Sequence, residues 1–139
     1  MAADFRELRV WEEAMVMVEK VYELASAFPV EERFGLGSQI KRAAISVPSC
    51  IAEGNARYST RDYLRFLSMA SGSLAEVLTQ VLLAARLGFV RQIAVDAFLA
   101  QHRAVSLQLQ ALRKSLQRRN ARSAGDLHSP FPVPFSPLR

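Results

Sequence analysis

Tyr63–Ala84 reads YLRFLSMASGSLAEVLTQVLLA, and the spacing of its apolar residues decides the fold. Tyr63, Leu67, Ala70, Leu74, Val77, Val81 and Ala84 recur at alternating steps of 4 and 3. A turn of 3.6 residues brings such positions onto one face, so the stretch predicts an α-helix with one apolar stripe. Period-two alternation, the mark of a half-buried strand, is absent here and in the other segments.

The ends of this helix are signalled locally. Ser59 and Asp62 have capping-box spacing, with Asp in place of the usual Glu or Gln. The hydroxyl is expected to accept an orphan backbone N–H and the carboxylate to reach back. Gly88 stands where a left-handed residue would close the helix.

Working outward, three more helical patterns appear. Upstream, Leu36, Ile40, Ala44, Val47 and Ile51 form a stripe interrupted by Pro48. Proline there removes one backbone hydrogen bond and crowds the Ala44 carbonyl, at about 3 kcal/mol in a helix interior. A kinked but continuous helix is expected, with Ser46, Ser49 or water meeting the freed carbonyl. The first segment carries two stripes. One is Leu8, Trp11, Met15, Val18, Tyr22 and Ala25; the other is Val10, Ala14, Met17, Val21, Leu24 and Phe28. The last segment is also doubly striped. Ile93, Ala97, Ala100, Ala104, Leu107 and Ala111 run beside Phe98, Val105, Leu109, Leu112 and Leu116. Residues 6–27 and 89–124 contain neither glycine nor proline, and the link from Phe28 to Gly37 is short, as between neighbours in a bundle. The prediction is an all-α, antiparallel up-and-down four-helix bundle of long helices over residues 1–120, with a Pro-kinked second helix. A Pro-rich irregular tail, residues 121–139, contains Pro130, Pro132, Pro134 and Pro137.

Double stripes carry a further expectation. A bundle helix needs one apolar face about 100° wide. Four helices do not readily bury two faces each, so the second stripes favour self-association.

The 139 residues suit one domain. A single cysteine, Cys50, makes no internal disulfide and is expected as a small buried apolar residue. The N-terminus lacks the apolar run of a signal peptide, and no uninterrupted apolar stretch nears the ~18 residues of a membrane span. A cytoplasmic location without membrane contact is expected. The net charge of +5 is uneven: residues 1–40 hold four basic and eight acidic side chains, residues 41–139 fourteen and five. Such asymmetry fits an anionic partner, or an acidic first helix beside a basic last one.

The residues themselves point to a family. Phe5-Arg6-Glu7-Leu8 with Val10-Trp11 and Ala14 opens the pattern, and Phe28-Pro29 with Glu32-Arg33-Phe34-Gly35-Leu36 follows. The most specific stretch is Gln39-Ile40, Arg42-Ala43-Ala44, Ser46-Val47-Pro48-Ser49 and Ile51-Ala52-Glu53-Gly54. Phe66-Leu67, Ala70, Gly72-Ser73-Leu74, Glu76, Gln80 and Leu87-Gly88 continue it. Together they resemble the 23S rRNA intervening-sequence proteins, over about residues 5–90. The pattern has asparagine where this chain has Cys50. The fourth helix matches in character only, and the tail after Gly125 lies outside it. The resemblance implies an up-and-down bundle assembled as a homopentamer. A similar bundle is the accessory protein of diversity-generating retroelements, where it binds nucleic acid and a reverse transcriptase. The family name denotes gene location, not an activity.

Catalytic groupings are scarce, and a non-enzymatic protein without cofactor, metal or small-molecule substrate is expected. His102 and His128 are far apart, Cys50 has no nearby histidine, and no Cys/His spacing suits zinc. Gly35-Leu36-Gly37 lacks the preceding strand of a phosphate loop. Glu53 and Glu76 lack the Glu-x-x-His motif of diiron bundles and are expected as buried or half-buried ion pairs with arginine.

Two polar groupings remain. Gln39, Arg42, Ser46, Ser49, Glu53 and Arg57 share a face of the second helix, with Arg42 in reach of Ser46 and Glu53 of Arg57. That face is either solvated or, with Glu76, a polar network at the rim of an oligomeric ring. Arg113, Lys114, Arg118, Arg119 and Arg122 cluster late in the fourth helix, and Arg57, Arg61 and Arg65 near the second turn. They either complement helix dipoles or bind RNA or DNA phosphates. No interleaved aromatics are expected for base stacking, so recognition would read backbone or shape. The competing function is a protein-binding scaffold with Pro130–Pro137 as a docking tail.

Overall fold

The computed structural model describes residues 4–126, with side chains through residue 122. Four helices follow one another: α1 Arg9–Ala25, α2 Leu36–Asn55, α3 Thr60–Arg86 and α4 Gln92–Asp126. Short 3-10 turns at Phe5–Glu7 and Val30–Glu32 precede α1 and α2, and there is no strand among the described residues. Each helix packs on its neighbours in sequence, and α1 closes the ring against α4. Contacts descend along one helix while they ascend along the next. Asn55 meets Tyr63 and Ser46 meets Ser73 between α2 and α3. Phe28 meets Phe89 and Glu13 meets Gln101 at the α1–α4 junction.

The core is built from the periodic residues. Every member of the α3 stripe from Tyr63 to Ala84 is buried. Ile40, Ala44, Val47 and Ile51 of α2 face it, with Phe98, Val105, Leu109 and Leu116 of α4. In α1 the stripe Val10, Ala14, Met17, Val21, Leu24 enters the core, whereas Met15 and Tyr22 of the other stripe stay exposed. The same division holds in α4, where Ile93 is 77% and Leu107 53% exposed. The single chain thus buries one stripe of each doubly striped helix. By length and composition α3 would suffice to cross a membrane, but its apolar stripe is the inner face of this bundle.

Local chemistry explains the joints. Glu32 caps α2: its Oε1 accepts the Leu36 N–H at 3.1 Å. Ser59 caps α3, its hydroxyl accepting the Asp62 N–H at 3.0 Å. The Asp62 carboxylate does not complete the capping box but turns to Arg65 Nε at 3.7 Å, because it is one methylene shorter than Glu. Gly88 closes α3 with φ +77°, a conformation that strains any side chain with a Cβ. Pro48 is buried within an unbroken α2. The Ser46 hydroxyl bonds Ser73 at 2.9 Å across the helix pair and lies 3.7 Å from the buried Cys50 sulfur. It therefore serves the α2–α3 contact and not the carbonyl freed by Pro48. α4 continues past residue 120 to Asp126, since no breaker precedes Gly125. The prolines of the tail and His128 lie outside the described residues.

Candidate nucleic-acid interface

The basic residues meet where α2 ends, α3 begins and α4 leaves the bundle. Gly54 makes this corner possible. A Cβ there would lie 2.9 Å from both Phe66 Cβ and the Tyr63 ring, so only glycine allows α3 to seat so close to α2. Tyr63 then donates its hydroxyl to Asn55 Oδ1 at 3.2 Å. Phe66 is covered by two guanidinium groups, Arg57 at 4.5 Å and Arg65 at 4.7 Å from the ring centre. Two like charges thus share one ring.

α4 brings the remaining cations. Leu116 is buried, and every side chain from Gln117 to Arg122 is exposed. Lys114, Arg118, Arg119 and Arg122 are exposed and Arg113 is half-buried. Burial pushes the Tyr63 phenol up from its usual value, and the charge of Arg119 pulls it partly back. Arg119 on α4 is thus within electrostatic reach of Tyr63 at the start of α3. Of the eight candidate cations, Arg65 has a carboxylate within 4.0 Å among the described residues, and the other seven have none.

The polar stripe of α2 behaves differently. Gln39, Arg42, Ser49 and Glu53 are exposed, and Ser46 alone makes a polar contact across to α3. Arg42 does not pair with Ser46, which is committed to Ser73. Arg57 lies on Phe66 and makes no ion pair with Glu53. The expected buried pairs of Glu53 and Glu76 with arginine are not formed. Both carboxylates point to solvent, and no arginine lies within 4.0 Å of either among the described residues. Helical phase explains this, since both sit opposite the core stripes. His102 lies across α3, with Nε2 2.9 Å from the Leu74 carbonyl, so that nitrogen carries the proton.

One expectation about this site is corrected. Aromatic residues are interleaved with the cations. Tyr58, between Arg57 and Arg61, is 103% exposed in the bend joining α2 to α3. It belongs to no apolar stripe, and an aromatic stranded in a polar turn was the available signal.

A family model for the 23S rRNA-intervening sequence protein matches residues 6–111, more than half of the chain. The chain belongs to this family. The match to the 23S rRNA-intervening sequence protein model extends beyond the resemblance read over residues 5–90 and takes in much of α4, which had matched in character only. It stops before Arg113, so five of the basic residues lie past it. No curated protein matches the chain.

Proposed function

We propose that this member of the 23S rRNA-intervening sequence protein family is a non-enzymatic, self-associating cytoplasmic protein that binds nucleic acid through the basic end of its bundle. The supporting observation is the gathering of eight cations at one end of the bundle, from the α2–α3 bend, α3 and α4, with one carboxylate within 4.0 Å of any of them among the described residues. Like charges held together on rigid elements repel, and an external polyanion relieves that repulsion. Each phosphate neutralised releases counterions, so binding should weaken steeply with salt. Self-association is supported by the uncovered stripes. Trp11, Met15, Val18, Ile45, Pro48 and Ala52 line an apolar groove of about 300 Å³ between α1 and α2, suited to a second copy. The pentameric number is what the family resemblance implies.

The test is fluorescence anisotropy with a labelled mixed-sequence oligonucleotide at ~50 and ~200 mM salt. Binding at the lower salt, a steep loss at the higher, and a large loss in the triple variant Arg118→Glu/Arg119→Glu/Arg122→Glu are expected. No binding at ~50 mM salt sinks the proposal, because phosphate contacts are strongest there.

A further inference from the structure

We infer that Tyr58 is a stacking post for an unpaired base, so that the ligand of the basic end is a single strand or a looped-out nucleotide and not a plain duplex. This rests on the nucleic-acid reading above and sharpens its ligand class. Three aromatic rings stand at this corner. Tyr63 is buried and bonded to Asn55, and Phe66 is covered by Arg57 and Arg65. Tyr58 alone points wholly into water. The other two strongly exposed aromatics each carry a cation, Lys41 on Tyr22 at 4.9 Å and Arg33 on Phe34 at 5.6 Å. The Tyr58 ring has neither cation nor ring against it among the described residues.

The backbone around Tyr58 is tied on both sides. The Arg57 N–H bonds the Gly54 carbonyl at 3.1 Å, and Ser59 caps α3 through the Asp62 N–H at 3.0 Å. With the backbone so tied, only the side-chain torsions of Tyr58 are left to be fixed on binding. Arg57 and Arg61 flank it in sequence and are both exposed. A π-face beside cations matches one nucleotide, base on the ring and phosphate on the guanidinium. Bases inside a duplex present no free face, so the tyrosine selects unpaired ones. Stacking tolerates any base, so the tyrosine sets strandedness and not sequence.

The experiment uses the full chain and two labelled probes of equal length, a mixed-sequence single strand and a blunt duplex, each as RNA and DNA. Tyr58→Ala should weaken single-strand binding about 5- to 150-fold, the range seen for loss of one stacked base. It should leave duplex binding and the salt slope nearly unchanged. Tyr58→Phe keeps the ring and should bind like wild type. Because the side chain touches no core residue, circular dichroism of both variants should match wild type. Equal losses on single strand and duplex, no loss on either single strand, or a Phe variant as weak as the Ala variant would each overturn the inference while leaving phosphate binding standing. Absence of wild-type binding to every probe would overturn both.

Discussion

Gly54 sets how closely α2 and α3 approach, and so where the guanidinium-covered ring of Phe66 sits. A methyl group added there meets Phe66 Cβ at 2.9 Å, main-chain-proximal matter that cannot swing aside. Gly54→Ala is expected to destabilise the fold by about 1–3 kcal/mol, the usual penalty of overpacking, read as a lower urea midpoint. Tyr63 beside it gives a pH signature. Its phenol is raised above the usual value of 10.0, first by burial, with Arg119 pulling the other way. The unfolded chain therefore ionises before the folded one. Tyr63 supports the fold fully below pH ~10, and that support falls away as alkali rises through the folded value. Ultraviolet titration should find one late phenol, absent in Tyr63→Phe. Arg119→Ala should move it later still. An unmoved late phenol in Arg119→Ala would show that α4 does not lie against this corner.

At the scale of the helices, α3 carries a clean test of propensity against packing. Gly72 is exposed in mid-helix, and a Cβ there meets nothing within 4 Å. Gly72→Ala should stabilise the chain by about 1 kcal/mol, the helix propensity difference, measured as a raised urea midpoint. α4 divides at Leu116. Residues before it are held by the core, whereas Gln117–Arg122 have every side chain in water. Amide exchange should be slow at Val105 and Leu109 and fast beyond Leu116, and bound oligonucleotide should slow the latter. The helices and their inner faces were legible because the core demands periodicity: the α3 stripe is buried member for member, as spacing required. Double stripes on α1 and α4 were equally legible, but which stripe faced inward was not, since both satisfy the period. The cations were visible as charge. Their meeting was hidden, because it depends on Gly54 admitting Phe66 and on where α4 passes Tyr63. Partners of Ser46, Arg57, Glu53 and Glu76 were misjudged because spacing along one helix says nothing about the next.

For the whole molecule, the apolar groove and most of the cations are set on different elements, and each has its own test. Cations gather where α4 leaves the bundle, while the groove of Trp11, Met15, Ile45 and Pro48 runs between α1 and α2. Met15 and Ile45 are 36% and 42% exposed, so carboxylates placed there face water in a single chain and meet a neighbour in an assembly. Met15→Glu/Ile45→Glu should keep its helical dichroism and scatter light as the 15.5 kDa chain, where wild type should scatter as a multiple of it. A wild type that scatters as one chain would refute self-association, and a double variant that still assembles would move the interface to another face. The same variant separates assembly from phosphate contact. It retains all eight cations, but an assembly presents several basic ends to one strand. The slope of log affinity against log salt scales with the phosphates neutralised, at about −0.7 per contact for single strands. The dissociated variant should therefore bind more weakly and with a shallower slope. An unchanged slope would mean that each chain grips its nucleic acid alone.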